Sequence, residues 1–162
     1  MKHGGEPPYK TLLEKDRWLD LSTGINPIPY KLPKFAAADW QALPRKQDLD
    51  TLLQSARTAY QIPDSIDVFA GPGTEALIWQ LPDLFGAAAS ILGPTYSSHA
   101  ASWSHWHDSP SIIASNACWP RNQNLILVNP NNPTGTLIAP ETLIEFARTL
   151  IPGCVLIVDE AF

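Results

Sequence analysis

Asp159 is the residue whose surroundings most directly suggest chemistry. It follows the apolar run VLIV at residues 155–158, which is typical of a strand buried in a sheet. A carboxylate at the end of such a strand is costly to bury without a partner, and a protonated ring nitrogen would be a suitable one. An aspartate that caps the strand or hydrogen-bonds a neighbouring loop would occupy the same position, so both interpretations stay open.

The motif NPNNPTG at residues 129–135 is a second candidate. It follows the apolar run LILV at residues 125–128, so it lies at the carboxyl end of a predicted strand, where open α/β sheets bind ligands. Prolines on both sides of the asparagine pair restrict the backbone, which would orient a hydrogen bond from the Asn132 amide. Asn132 is therefore a candidate ligand contact.

Two earlier turns have a similar place in the chain. In GPGTE at residues 71–75, Gly73 allows close backbone approach, and Thr74 adds a hydroxyl at a helix N-terminus, an arrangement that suits a phosphate. Tyr96 follows the apolar run at residues 88–92, where its ring could stack on a planar cofactor. An ordinary helix start and an ordinary packed tyrosine would have the same sequence pattern.

The elements that must position these residues alternate along the chain, which predicts an α/β fold with a mostly parallel sheet and flanking helices. The predicted helices run from Asp48 to about Pro63, from the turn at residues 71–75 to Pro82 or just beyond, over residues 96–106 and over residues 140–150. The predicted strands are residues 18–21, 66–69, 88–92, 111–114, 125–128 and 154–158. Helix 140–150 is expected to bury one stripe of side chains: Leu143, Ile144, Phe146, Ala147 and Leu150.

The first 45 residues are otherwise irregular, and residues 27–33 are rich in proline. We expect residues 1–45 to form an N-terminal arm or part of a small domain that packs on another domain or subunit. Residues 46–162 are expected to be the N-terminal part of a larger α/β domain.

Composition excludes several classes of protein. The 44% apolar and 17% charged content of the 162 residues is typical of a folded domain, and a net charge of −5 gives no reason to expect nucleic acid or anionic membrane as a partner. No apolar run approaches the roughly 20 residues of a membrane span, and the N-terminus does not resemble a signal peptide. We therefore expect a cytoplasmic protein.

No metal site is predicted. Cys118 and Cys154 are too far apart in the chain for a metal-binding pair, and we expect both thiols to be reduced. The spacing of His99, His105 and His107 matches no recognised site, so ordinary surface or packing roles are expected for them.

Four motifs together resemble the fold-type I pyridoxal-phosphate enzymes, in order and spacing. They are GTE at 73–75, PTY at 94–96, NPNNPTG at 129–135 and DEAF at 159–162. The resemblance covers the N-terminal half of such an enzyme. Its two nearest branches are the threonine-phosphate decarboxylases of cobalamin biosynthesis and the histidinol-phosphate aminotransferases, and the N-terminal segments HGG and DLSTGINP resemble the decarboxylase branch.

This resemblance implies roles for five residues toward pyridoxal 5′-phosphate. Gly73 and Thr74 would hold the cofactor phosphate, and Tyr96 would stack on the pyridine ring. Asn132 would hydrogen-bond the 3′-oxygen, and Asp159 would pair with the ring nitrogen. His3 and Asn26 are candidates for contacts to the phosphate and carboxylate of a small phosphorylated amino-acid substrate.

The sequence departs from the family pattern near its end. Aminotransferases usually end the last motif in tyrosine, whereas this chain has Phe162, which favours the decarboxylase branch. The resemblance places the Schiff-base lysine after this motif, and no lysine follows Asp159. We therefore expect a decarboxylase-like chain that is inactive as given and that forms a homodimer when full length. The alternatives are an aminotransferase and a non-catalytic remnant or interaction half-domain.

Overall fold

The computed structural model describes residues 24, 26, 28–86 and 88–161. These residues divide into two compact units, one ending at Leu49 and the other beginning at Asp50. The strand predicted at residues 18–21, the substrate candidate His3 and the terminal Phe162 lie outside the described residues. The predicted domain boundary at residues 45 and 46 stays a prediction.

Helices and strands alternate along the second unit. The helices of the described residues are α1 (Ala37–Gln41), which belongs to the first unit, α2 (Lys46–Ala59), which spans the division, and α3 (Thr74–Ile78), α4 (Leu81–Phe85), α5 (Ser97–Trp106) and α6 (Pro140–Ala147) of the second. The strands are β1 (Ala89–Gly93), β2 (Ser111–Ala114), β3 (Asn124–Val128) and β4 (Leu156–Asp159).

The four strands form one parallel sheet in the order β2-β1-β3-β4. This confirms the predicted α/β class. The chain passes from β1 to β2 on one side and then returns to place β3 on the other side of β1. The strand order therefore reverses between β1 and β3, and the loops after these two strands diverge there to leave a crevice.

Both faces of the sheet are covered, which explains why β1 and β3 are apolar along most of their length and buried at every position. On one face Trp103 of α5 packs with Ile91 and Ile126, and all three side chains are fully buried. On the other face Leu143 of α6 packs with Leu125 and its neighbours. This two-sided core fixes the positions of the strand ends.

Two predictions between residues 66 and 82 are wrong. Residues 66–69 form no strand, and Ile66 and Phe69 are exposed. An extended segment becomes a strand only when a neighbour takes its backbone hydrogen bonds, and none of the described strands pairs with this one. The single helix predicted from the turn at residues 71–75 to Pro82 or just beyond is two short helices, because Pro82 in the first turn of α4 has no N–H with which to continue α3.

Other boundaries and faces differ in smaller ways. Helix α2 begins at Lys46, so Asp48 lies in its first turn, where its carboxylate accepts a hydrogen bond from Arg45 Nε at 2.9 Å. Helix α1 lies within the arm predicted to be irregular. Helix α6 ends at Ala147, before the predicted residue 150, and of the predicted stripe only Leu143 is buried. Phe146 and Leu150 are half-buried, and Ile144 and Ala147 are exposed.

Candidate functional site

A cleft of about 250 Å³ lies at the carboxyl end of the sheet. Its walls bring together four of the predicted site residues and three others: Thr74, Glu75, Tyr96, Val128, Asn132, Asp159 and Ala161. These residues come from the start of α3 and from the ends of β1, β3 and β4. Residues distant in sequence thus converge at the crevice that the strand order creates.

The floor of the cleft holds the Asp159 carboxylate, whose side chain is 8% exposed. Its Oδ2 lies 2.9 Å from Nε2 of His99, which is fully buried on α5. Its Oδ1 accepts the Ala161 N–H at 3.1 Å. Since each carboxylate oxygen has two lone pairs, both retain capacity to accept a further donor from the cleft.

His99 is the functional neighbour that sequence reasoning missed. It packs in the interior, which is one of the two roles expected for it, but its partner Asp159 is 60 residues away in the chain. Its position three residues after Tyr96, in the first turn of α5, is the only local signal. A histidine there lies at the same edge of the sheet as the tyrosine, and the two rings contact each other edge to face, with their centroids 6.4 Å apart.

The wall of the cleft is a cluster of hydrogen bonds around Glu75. Tyr96 donates its hydroxyl to Glu75 Oε2 at 3.0 Å, and Trp79 donates Nε1–H to Oε1 at 2.9 Å. Ser98 donates a further side-chain hydrogen bond. Burial alone would raise the pKa of Glu75, but these hydrogen bonds from Trp79, Ser98 and Tyr96 outweigh it and hold the pKa below its ordinary value.

The turn before α3 is held by Gly73, whose φ of 95° and ψ of 159° belong to a backbone region that is almost exclusive to glycine. A Cβ at this position would meet no atom within 4 Å, so the space over the turn is open. No side chain caps the helix, which leaves N–H groups of its first turn without helical partners. Because α3 has only five residues, these N–H groups and the Thr74 hydroxyl matter more here than a helix dipole.

The three asparagines of the NPNNPTG loop differ in their surroundings. Asn129 bonds both the N–H and the carbonyl of Ile138, at 2.8 and 3.1 Å. Asn131 accepts the Thr95 hydroxyl at 2.6 Å and donates to the Pro94 carbonyl at 2.9 Å. These two residues hold the loop against its neighbours, whereas Asn132 lines the cleft.

The cleft fits the cofactor that the sequence resemblance implies. It is lined by a hydroxyl, an aromatic side chain, an amide and a carboxylate with unused acceptor capacity, and Gly73, whose open turn directly precedes Thr74, is not itself among the lining residues. The turn with the Thr74 hydroxyl, the ring, the amide and the carboxylate are the four groups that the cofactor needs. These groups match a phosphate, a planar ring, a ring oxygen and a protonated ring nitrogen, respectively. The roles of Gly73, Thr74, Tyr96, Asn132 and Asp159 toward this cofactor stay predictions.

Among the described residues, the substrate candidate Asn26 is not one of those that line the cleft. Asn26 belongs to the first unit, where its Oδ1 accepts the Ile28 N–H at 2.9 Å. Across residues 24, 26, 28–86 and 88–161, no three His, Cys, Asp or Glu side chains are grouped as a metal site would require. In the same residues no helix has the length and apolar character needed to cross a membrane.

Comparisons with known proteins find relatives along the whole chain, although no protein-family model matches it. A threonine-phosphate decarboxylase from a Sinorhizobium species is 37% identical over 99% of this chain and 47% of its own length. One from Pseudomonas aeruginosa is 34% identical over 100% of this chain and 50% of its own length. The chain thus spans about half the length of the curated relatives it matches.

Solved structures share the fold. The crystal structure of histidinol-phosphate aminotransferase from Sinorhizobium meliloti, in complex with pyridoxal-5′-phosphate, superposes with a TM-score of 0.62. The match has 19% sequence identity and covers 77% of this chain and 38% of the aminotransferase. At this identity the likeness shows the fold.

Proposed function

We propose that this chain supplies the cofactor-binding half of a pyridoxal-phosphate-dependent enzyme like the threonine-phosphate decarboxylases to which it is similar. The observation that carries this proposal is the cleft itself. Thr74, Tyr96, Asn132 and Asp159, which come from four separate loops, line one space at the reversal of strand order.

In the proposed site, each residue acts on a different part of the cofactor. Thr74 and the turn at Gly73 bind the phosphate, and the ring of Tyr96 packs on the flat face of the pyridine. Asn132 donates its amide to the ring oxygen. The Asp159 carboxylate accepts a hydrogen bond from the protonated ring nitrogen, and the contact with His99 Nε2 holds this carboxylate in place. Pyridoxal phosphate, when bound, accepts the electron pair released as a bond to the substrate Cα breaks.

The two decarboxylase relatives match along almost the whole of this chain, which favours loss of a carboxylate as the reaction. The proposed substrate is then threonine phosphate, and the product 1-aminopropan-2-yl phosphate would serve cobalamin biosynthesis. Transamination of histidinol phosphate is the alternative. The proposed homodimer and cytoplasmic location rest on the resemblance and on the sequence.

Cofactor binding is best tested with pyridoxine 5′-phosphate, which has the ring and phosphate but no aldehyde. It therefore cannot form imines with surface lysines, and any saturable binding reports the cleft. The protein should be expressed from its whole natural reading frame and titrated by calorimetry. We expect saturable binding to the wild type and much weaker binding of pyridoxine, which lacks the phosphate. Equal binding of both compounds would contradict a phosphate cradle.

The reaction is then tested with threonine phosphate and histidinol phosphate in the presence of pyridoxal phosphate. Release of CO₂ from threonine phosphate would support the decarboxylase. Transfer of the amino group of histidinol phosphate to 2-oxoglutarate would support the aminotransferase instead. Probe binding without either reaction would favour a non-catalytic chain.

A further inference from the structure

Glu75 presents a carboxylate to a cleft that we propose holds a phosphate. Two negative groups this close repel each other, so an acidic residue is an unexpected choice for this wall. Its surroundings account for it, because both oxygens already accept neutral donors: Tyr96 Oη at 3.0 Å on Oε2 and Trp79 Nε1 at 2.9 Å on Oε1. The carboxylate therefore already has hydrogen-bond partners within the protein.

These hydrogen bonds connect two elements of the site. Glu75 lies in the first turn of α3, next to Thr74, whereas Tyr96 precedes α5 with non-helical backbone angles of −56° and 122°. A side chain on such a loop position has no helix to fix its ring. The tyrosine is instead held by an edge-to-face contact between its ring and that of His99 and by the hydrogen bond from its hydroxyl to Glu75. The hydrogen bond fixes the direction of the long axis of the ring, and the ring contact limits rotation about that axis.

We propose that Glu75 is a positioning residue that, through the Tyr96 hydroxyl, fixes the direction in which the Tyr96 ring extends and ties this ring to the phosphate-binding turn. The inference rests on the proposed function, since it assumes that Tyr96 packs on the cofactor. Glu75 acts through the Tyr96 hydroxyl and does not itself contact the cofactor. The lowered pKa of Glu75, which reflects the same donors, keeps it ionised as an acceptor at neutral pH.

The test is a double-mutant cycle with Glu75→Ala, Tyr96→Phe and the combination. Glu141→Ala is the matched control, because Glu141 also lies in the first turn of a helix but in α6. The dissociation constant of pyridoxine 5′-phosphate and the circular dichroism induced in its ring absorption are measured on the protein from its whole natural reading frame. Induced circular dichroism reports a fixed ring orientation, which a general loss of stability would not change selectively.

We expect each single variant to bind the probe about five- to tenfold more weakly, as for the loss of one hydrogen bond of ordinary strength at an exposed position. The double variant should bind no more weakly than Glu75→Ala, because the two changes remove the same link. Both singles should reduce the induced circular dichroism, and Glu141→Ala should leave affinity and spectrum unchanged.

Three outcomes would overturn the inference. If the wild type does not bind the probe, the proposed function fails and this inference fails with it. If the wild type binds but Glu75→Ala has the same affinity and spectrum, only the positioning role fails. If the losses of the two single variants add in the double variant, Glu75 acts independently of the Tyr96 hydroxyl.

Discussion

The floor and the wall of the cleft each hold one carboxylate, and the two have opposite surroundings. Asp159 is 8% exposed and meets one titratable partner, His99, within the sheet and helix core. Glu75 is exposed and shares several neutral donors from short elements. A buried charge depends strongly on its partner, whereas an exposed one contributes little to stability. We therefore expect the floor residues Asp159 and His99 to contribute to the stability of the fold, and the wall residue Glu75 to affect ligand binding.

The largest expected effect is on the floor. His99→Ala removes a fully buried side chain and leaves the Asp159 carboxylate without its ring partner, so we expect the free energy of unfolding to fall by about 3 kcal/mol. Equilibrium unfolding in urea measures this loss. His105→Ala, at an exposed position on the same helix, is the control and should change stability little. A loss below about 1 kcal/mol for His99→Ala would contradict the contrast between floor and wall.

The turn at Gly73, which precedes the wall in the chain, depends on its backbone conformation. Gly73→Ala meets no atom, yet it forces a side chain into a backbone region reserved for glycine, so we expect a loss of about 2 kcal/mol. Gly153→Ala is matched, because Gly153 also has a positive φ, of 92°, but lies before the amino end of β4. Both variants should unfold more easily in urea, and only Gly73→Ala should also weaken binding of pyridoxine 5′-phosphate.

Removing the charge of Asp159 while keeping the shape of its side chain should weaken ligand binding more than it lowers the stability of the fold. Asp159→Asn is expected to weaken binding of the protonated ring about tenfold, or about 1.4 kcal/mol, with a smaller change in stability. Calorimetric titration with the probe measures this. Asp108→Asn, exposed before β2, is the control. Unchanged affinity in Asp159→Asn would exclude the proposed contact to the ring nitrogen.

The smallest expected effect is the pH dependence of the stability that Glu75 contributes. Folding lowers the pKa of Glu75 below its ordinary value of 4.5, so its contribution is complete above that value and is lost as the pH falls through the lower folded pKa. The difference in stability between wild type and Glu75→Gln should therefore be constant near neutral pH and shrink only in acid. Urea unfolding across a pH series checks this. A difference that shrinks between about pH 6 and 8 would point to another titrating group.

Strands covered on both faces were the clearest predictions from the sequence, whereas an extended segment without a pairing neighbour was predicted wrongly. Strands β1 and β3 could be predicted because a short, continuous apolar run between turn residues is typical of a strand covered on both faces. Strand β2 was predicted at its full length, residues 111–114. The strand predicted at residues 66–69 failed because its apolar pattern says nothing about whether another strand is available to pair with it.

The candidate site shows the same limit. Loop positions at strand ends identified Thr74, Tyr96, Asn132 and Asp159 as residues that could meet, and they do line one cleft. The sequence could not reveal the contact between His99 and Asp159, which joins residues 60 positions apart and depends on how α5 packs on the sheet. Contacts made by folding across the sheet have no local pattern.

The break between α3 and α4 has a consequence for how ligands reach the cleft. Each helix has only five residues, far below the roughly 12–15 at which an isolated helix becomes marginally stable in water, so both depend on packing for their existence. Their amide hydrogens should exchange with deuterium through local opening, whereas those of β3 should exchange only through global unfolding. A bound ligand that slowed exchange in α3 alone would show that binding at this site includes the ordering of one helical turn.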